Sequence, residues 1–460
     1  MNKYVYRFVC SVLLIGTAVC SFAYVWLRFV QVNNQTGHLM GAGNIVMALT
    51  VYATIFFING QWLRAFKLGA ERKAKVVASV VITVIVTDFL EISVSMAITG
   101  QFRFFTMFLV RYSVLALLQS LVLMILTIWM VDIYRMIVSP LTILEIVGDY
   151  KNDLAAELNS LANKYCIKET VYYSDAGIAT KMERYDAVLI NDIPTSAEKR
   201  ILKICFERNK RVYVVPKLSD IILKSSEDIN LVDTPLFLCR NLGICMWQSA
   251  IKRGMDLFFS ILAVILLSPI LIFTAIAIKL EDGGPVFFTQ ERVTYLGRRF
   301  RIYKFRSMIV DAEKDGRPHP AGEKDDRITH IGRIIRAYRI DELPQLINII
   351  KGDMSIVGPR PERWEHVEKY TEEIPEFIYR FKVKGGLTGY AQVYGKYNTS
   401  ALDKLKMDLI YITNYRLLLD VQIVFETLKI LFLKESTEGF EQKRIDEIHE
   451  GFKYLNHNRA

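Results

Sequence analysis

Ile261-Leu262-Ala263-Val264-Ile265-Leu266-Leu267-Ser268-Pro269-Ile270-Leu271-Ile272-Phe273 forms the middle of an apolar run from Met255 to Leu280. The run is long enough to span a bilayer, which takes roughly 20 helical residues. Two features predict that it does not cross. Lys252 and Arg253 precede it, while Arg292, Arg298, Arg299, Arg301, Lys304 and Arg306 follow. Basic flanks favour the cytoplasmic side, and here both flanks are basic. Ser268-Pro269 sits near the centre, where proline removes one helical hydrogen bond and clashes with the preceding turn. A helix that enters, kinks and returns satisfies both facts, provided Ser268 or neighbouring protein satisfies the broken backbone. The sequence therefore predicts a re-entrant helix over 255–280, broken at Ser268 and Pro269. A kinked spanning helix is the alternative, and it would carry the arginine-rich remainder to the opposite face.

Upstream, four more apolar stretches run approximately Phe8–Val30, Met40–Trp62, Val76–Ile98 and Phe105–Met130. The first is too long for a signal-peptide core, so no cleaved leader is expected. Lys3 and Arg7 precede it, and Arg64, Lys67, Arg72, Lys73 and Lys75 fill the loop between the second and third stretches. The loop carrying Gln31, Asn33, Asn34, Gln35 and His38 is nearly uncharged. By the positive-inside rule, both ends of this bundle are cytoplasmic. Asp88, Glu91 and Arg111 fall inside the apolar stretches. Intramembrane charge is costly, and an interhelical ion pair or snorkelling is the first expectation, with transport or lipid binding the second.

Bulk properties agree with a membrane protein of several domains. The chain has 460 residues, 52% of them hydrophobic, and a mean hydropathy of +0.23. Its net charge of +10 points to anionic headgroups and phosphorylated substrates. No nucleic-acid motif accompanies the charge, so no nucleic-acid partner is expected. Cys10, Cys20, Cys166, Cys205, Cys239 and Cys245 show no metal-ligand spacing, which excludes a zinc site and a disulfide framework.

Residues 139–249 read as a small Rossmann-like α/β domain. Leu141–Val147, Ala187–Ile190 and Arg211–Val215 are short strand-like runs, with helical patterns at Lys151–Lys164 and Ser196–Asn209. Gly148-Asp149 ends the first strand without a G-x-G-x-x-G loop, so a dinucleotide fingerprint is absent. The fold expected is thus an α-helical membrane bundle over 1–138, this α/β domain, a mainly helical catalytic domain over 250–434 and a charged tail over 435–460.

The catalytic chemistry is read from Arg339-Ile340-Asp341-Glu342-Leu343-Pro344-Gln345-Leu346. Proline is tolerated in the first helical turn, so Pro344 starts a helix within about two residues of Asp341. Asp341 is then either a helix cap or a catalytic carboxylate. Arg333, Arg336, Arg339 and Arg360 cluster around it in sequence. They suit ionised carboxylates and a bound diphosphate, although Arg339 is equally consistent with a solvated surface charge. Adjacent acids suit phosphoryl transfer through an acyl-phosphate, one carboxylate attacking and the other holding Mg²⁺. Pro359 and Pro361 stiffen the turn presenting Arg360. Lys304 and Arg306, in Lys304-Phe305-Arg306-Ser307-Met308, offer cations to a phosphate or a lipid headgroup. Asp408 and Tyr411 lie on a helix beginning near Leu402. Asp408 there supports a basic residue, holds substrate or makes a structural salt bridge. Val421–Leu433 is too short to span and is expected in the interface.

Several of these motifs stand in one order: Lys252–Asp256, Ser268-Pro269, Gly284-Pro285-Val286-Phe287-Phe288 with Gln290 and Arg292, Lys304–Met308, Asp341–Gln345, Lys351–Ser355, Gly358–Pro361, Leu387-Thr388-Gly389 with Ala391-Gln392-Val393, and Asp408 with Tyr411. The stretch from about Ala250 to Lys434 resembles the bacterial sugar transferases, the monotopic polyprenyl-phosphate phosphoglycosyl transferases. The upstream helices and α/β domain resemble the larger subgroup that initiates exopolysaccharide or O-antigen synthesis. The resemblance implies that Asp341 attacks a UDP-sugar, releases UMP and forms an aspartyl-phosphosugar. Undecaprenyl phosphate then takes the phosphosugar. Glu342 is implied as the Mg²⁺ ligand, with Lys304, Arg306, Arg339, Pro359, Arg360, Pro361, Gln392 and Asp408 around substrate or phosphate. It further implies a bacterial inner-membrane location, a cytoplasmic active site, membrane lipids as partners and a homodimer as an option.

Two positions depart from the family pattern. Thr294 stands where the family commonly has glycine, and Lys384-Gly385-Gly386 stands where it commonly has Arg-Pro-Gly. A non-catalytic scaffold regulating polysaccharide assembly is the rival reading, and the intact Asp341-Glu342 pair argues against it.

Overall fold

The computed structural model describes residues 3–33, 41–69, 71–149, 152, 154–161, 164–229, 233–239, 243–310, 327–395 and 399–431. The loop holding Asn34, Gln35 and His38 and the tail expected over 435–460 lie outside the described residues. The chain divides into two compact units, Met1–Val215 and Pro216–Ala460.

The first unit opens with four long helices, α1 (Lys3–Asn33), α2 (Ala42–Trp62), α3 (Lys73–Thr99) and α4 (Phe105–Ile137). All four are long and apolar enough to cross a membrane. They are apolar outside as well as inside. Leu14, Phe22, Trp26 and Phe29 are buried, whereas Phe8, Phe89 and Leu117 are exposed. A helix that is apolar all round requires an apolar solvent. Polar groups bond one another in the bundle interior, where Tyr52 donates to Asp88 Oδ1 at 2.8 Å and Gln119 donates to Ser21 Oγ at 2.7 Å. The ion pair expected from Asp88, Glu91 and Arg111 is corrected here. Among the described residues Asp88 is bound by tyrosine, Glu91 has no hydrogen-bond partner, and Arg111 lies over the Phe29 ring at 5.9 Å.

A parallel sheet completes this unit: β1 (Leu141–Val147), α5 (Leu154–Asn159), β2 (Tyr165–Tyr172), α6 (Ile178–Lys181), β3 (Ala187–Asn191), α7 (Thr195–Glu207) and β4 (Arg211–Val214). The strand order is β2-β1-β3-β4. Central β3 is buried throughout, as strands covered on both faces are. Edge strand β2 escapes the sequence reading because Lys168 and Glu169 interrupt its apolar pattern.

The second unit begins with α8 (Leu218–Lys224) and the hairpin β5 (Glu227–Ile229) and β6 (Leu236–Leu238). Leu218, Ile221 and Ile244 pack into the core of the second unit, although the sequence grouped them with the α/β domain. Next comes α9 (Met246–Asp282), which runs on through Ser268 and Pro269, so the break expected there does not interrupt the helix. Ser268 Oγ donates to the Ile265 carbonyl that Pro269, lacking an N–H, leaves free. Both of its ends hold the same unit. Lys252 and Arg253 donate to the carbonyls of Val357 and Ile349, while Glu281 accepts from Ile331 N and Asp282 pairs with Arg306. Between those anchors, Ile265, Leu266, Ile272 and Phe273 are exposed.

The remainder is β7 (Phe287–Val293), β8 (Arg299–Phe305), α10 (His330–Ala337), α11 (Gln345–Lys351), β9 (Ser355–Val357), α12 (Trp364–Glu373), β10 (Gly386–Thr388), α13 (Tyr390–Tyr394), α14 (Ala401–Thr413) and α15 (Leu417–Leu431). β7 and β8 form an antiparallel hairpin, and β9 pairs with β10 in parallel. Helix α15 covers most of the run expected to lie in the interface. One of its faces instead enters the core through Ile423, with Leu418 and Leu428 left exposed.

Candidate active site

Alternation along β8 aims the first cation. Phe300 and Ile302 are buried against Leu346 and Ile349 of α11. Residues two apart share a strand face, so Lys304 continues that row past the start of α11. Its ammonium donates to Glu342 Oε1 at 2.9 Å. Asn348 fixes the spacing between the two elements, donating to Arg301 O at 2.8 Å and accepting from Tyr303 N at 2.9 Å.

Asp341 and Glu342 lie in a 3-10 turn, Ile340–Glu342, entered through Arg339 in the left-handed region at φ 54°. The helix that follows begins at Gln345 with Pro344 as its cap and no capping side chain. Asp341 is therefore not the helix cap that the sequence left open. No hydrogen bond or ion pair engages its side chain among the described residues. Glu342 is the opposite case. Its side chain is 12% exposed, with Lys304, Arg360 Nη2 at 3.0 Å and Arg339 Nη1 at 3.9 Å around it.

Arg360 arrives on a loop that glycine makes possible. A Cβ on Gly386 would come within 2.1 Å of Gly358 N, and one on Gly389 within 2.1 Å of Gly358 O. Side chains there would force the β9 and β10 ends apart. Gly386 N donates to Pro359 O at 2.9 Å, and Arg292 donates to Pro361 O at 3.2 Å. Both prolines thus hold the loop through their carbonyls and stay buried.

Electrostatics separates the two adjacent acids. Burial pushes the Asp341 carboxyl above its ordinary range, with Lys304 opposing and Glu342 reinforcing the rise. Burial also opposes charge on Glu342, but Arg360 and Lys304 overcome it and hold that carboxyl well below the usual range. Desolvation lowers the Lys304 ammonium against the pull of Glu342. Among the described residues no three His, Cys, Asp or Glu side chains form a metal cage. Mg²⁺ commonly binds one or two carboxylates and completes its shell with water and substrate phosphate. The hard oxygens of Asp341 and Glu342 fit that mode.

The other expected site residues are not all brought together. Arg306 is buried at the C-terminal end of α9, paired with Asp282, and its Nε and Nη1 have no hydrogen-bond partner. Gln392 lies on α13 with a buried, unpartnered Nε2. Asp408 is 1% exposed and pairs with Arg380 Nη2 at 2.8 Å. That contact places it behind the Arg360 loop, supporting a basic residue. Ser268 Oγ donates to Ile265 O at 2.8 Å, inside α9.

A model of the bacterial sugar transferase family matches residues 247–434. A UDP-glucose:undecaprenyl-phosphate glucose-1-phosphate transferase of Caulobacter vibrioides is 40% identical over 191 residues, 40% of this chain and 71% of the relative. The chain belongs to the bacterial sugar transferase family. Larger members match as well. A UDP-N-acetylgalactosamine-undecaprenyl-phosphate N-acetylgalactosaminephosphotransferase of Aeromonas hydrophila is 40% identical over 262 residues, 54% of this chain and 59% of the relative. A UDP-glucose:undecaprenyl-phosphate glucose-1-phosphate transferase of Klebsiella pneumoniae is 40% identical over 223 residues, 47% of each chain. The chain thus spans about half the length of these two relatives.

Within this bacterial sugar transferase chain, sequence reasoning missed Arg380. Its guanidinium donates to Arg360 O at 3.0 Å and meets Asp408. An arginine among Phe377, Tyr379 and Phe381 carried the only signal, since a cation in an apolar run needs a buried partner.

Proposed function

We propose that the chain transfers a sugar-1-phosphate from a UDP-sugar to undecaprenyl phosphate, giving undecaprenyl-diphosphate-sugar and UMP. The observation carrying this reading is the split between Asp341 and Glu342. One carboxylate is unengaged and half-buried, and the other is held ionised by Lys304 and Arg360. Paired acids driven apart by their surroundings mark different tasks. The family membership and the activities for which the relatives are named support the same assignment.

In the first step an Asp341 carboxylate oxygen attacks the phosphorus that bears the sugar. The phosphoanhydride bond breaks, its electrons leave with UMP, and an aspartyl-phosphosugar remains. In the second step an oxygen of undecaprenyl phosphate attacks that phosphorus, and Asp341 leaves as a free carboxylate. Arg360, Arg339 and Lys304 balance the diphosphate charge, and Glu342 keeps the first three aligned when no substrate is bound. Bound Mg²⁺, held by Glu342 and by phosphate oxygens, would neutralise charge on the transferring phosphate.

The membrane assignment belongs to the same reading. Helices α1 to α4 span the inner membrane, and the parallel-sheet region is a Rossmann-like domain without a dinucleotide loop. Helix α9 dips into the bilayer and returns, since both its ends hold the unit that carries Asp341. The active site then faces the cytoplasm, where UDP-sugars are found. The reaction starts exopolysaccharide, capsule or O-antigen synthesis.

The test is UMP release by the full chain in detergent, screened across UDP-sugars, with radiolabelled transfer to undecaprenyl phosphate. Asp341→Asn is expected to abolish both while the protein still inserts. Full turnover by D341N, or no lipid-linked product with any UDP-sugar, sinks the reading.

A further inference from the structure

Thr294 and Gly385, 91 positions apart, are bonded to one another. Gly385 N donates to Thr294 Oγ1 at 3.1 Å in a buried setting, and Thr294 Oγ1 donates in turn to Asp353 O at 2.9 Å. Thr294 is 2% exposed. Its hydroxyl therefore satisfies one buried donor and one acceptor from two separate segments. A proline at 385 would have no N–H to satisfy, and a glycine at 294 would have no hydroxyl to offer.

This bond sits directly against the Arg360 loop. A Cβ on Gly385 would lie 2.6 Å from Pro361 Cγ, and one on Gly358 would lie 2.3 Å from Lys384 O. Gly385 O accepts from Ser355 N at 2.9 Å. On the other side, Val293 N donates to Glu362 O at 3.0 Å and Arg292 donates to Pro361 O at 3.2 Å. The end of β7 thus grips residues 361 and 362, and through Thr294 it also grips the strand lying beneath them.

We propose that Thr294 is a positioning residue for Arg360, coupled to Gly385 as a pair. The inference rests on the transferase reading for its kinetic arm only. Loss of the hydroxyl leaves the Gly385 amide buried without an acceptor, and the loop that aims Arg360 at Glu342 loosens.

A double-mutant cycle on the full chain tests this. T294V and T294G are each expected to lower kcat for UMP release about tenfold, as a slightly misplaced Arg360 implies, with KM little changed. T294S keeps the hydroxyl and is expected to stay within about threefold of wild type, rescuing the defect. In an R360A background, T294V is expected to cost nothing further, because the guanidinium it positions is gone. Hydrogen exchange of the peptide containing residue 385 provides an arm independent of activity, with protection in wild type and T294S lost in T294V. Equal exchange in wild type and T294V, or losses that multiply in the double variant, overturns the proposal. An inactive wild type would sink the transferase reading alone and leave exchange to decide the pair.

Discussion

Arg380 donates from Nη2 to the main-chain oxygen of Arg360 at 3.0 Å, and the same nitrogen lies 2.8 Å from Asp408 Oδ2. A buried ion pair thus stands behind the exposed end of the Arg360 loop. Arg380 and Asp408 side chains are 3% and 1% exposed, whereas that of Arg360 is 42% exposed. The solvent-facing cation inherits its position from charges that solvent does not reach.

Asp408→Ala should therefore destabilise the chain by about 3–5 kcal/mol, the usual result of stranding one partner of a buried pair. Burial pushes Asp408 up to about 6 against the pull of Arg380, from an ordinary value near 3.8. Between those pH values the folded chain holds one more proton here than the unfolded chain. The Asp408 contribution to stability is therefore full below about pH 4 and declines as pH rises towards 6. Chemical unfolding of wild type and D408N across that window checks the sign. The wild-type advantage should shrink with rising pH, and growth of that advantage would contradict it.

Removing charge from Glu342 leaves Lys304 and Arg360 with uncompensated charge in the partly buried site. Glu342→Gln should reduce UMP release roughly 10²–10³-fold, as loss of a preorganised electrostatic group does. Chelation of divalent ions should stop wild-type turnover, and added Mg²⁺ should restore it. Near-normal rates in E342Q, or indifference to chelation, would remove the metal assignment.

Because burial raises Asp341, the acidic limb of the pH–rate profile should lie above that of an exposed aspartate. Arg336 and Arg339 both lower Asp341. Arg336→Gln and Arg339→Gln should each move the limb to higher pH, since removing a neighbouring cation favours the protonated acid. Single-turnover UMP release against pH reads this directly. A shift to lower pH would contradict Asp341 as the titrating group.

Cys245 is exposed at the start of α9, and Glu281 lies at its other end. With the other cysteines replaced, a membrane-impermeant maleimide should label Cys245 and a cysteine at E281C from the same face. Labelling from opposite faces would mean that α9 crosses.

Much of the architecture was legible in the chain itself. The apolar runs have one length scale, set by the bilayer and the helical rise, so four long helices and α9 follow from composition. The strand Leu141–Val147 is legible because Leu141, Ile143, Leu144, Ile146 and Val147 are aliphatic, although Thr142 and the buried Glu145 interrupt the run. The Asp341-Glu342 pair was legible because adjacent acids among arginines are costly without a chemical reason. Tertiary structure alone decided which acid is clamped and which is left unengaged, since both have the same neighbours in sequence. It also turned Asp408 from a candidate ligand into the partner of Arg380, and joined Thr294 to Gly385 across 91 positions. Periodicity reports which face a residue occupies, but a hydrogen bond between distant segments depends on where two backbones converge, and that is set only when the core closes.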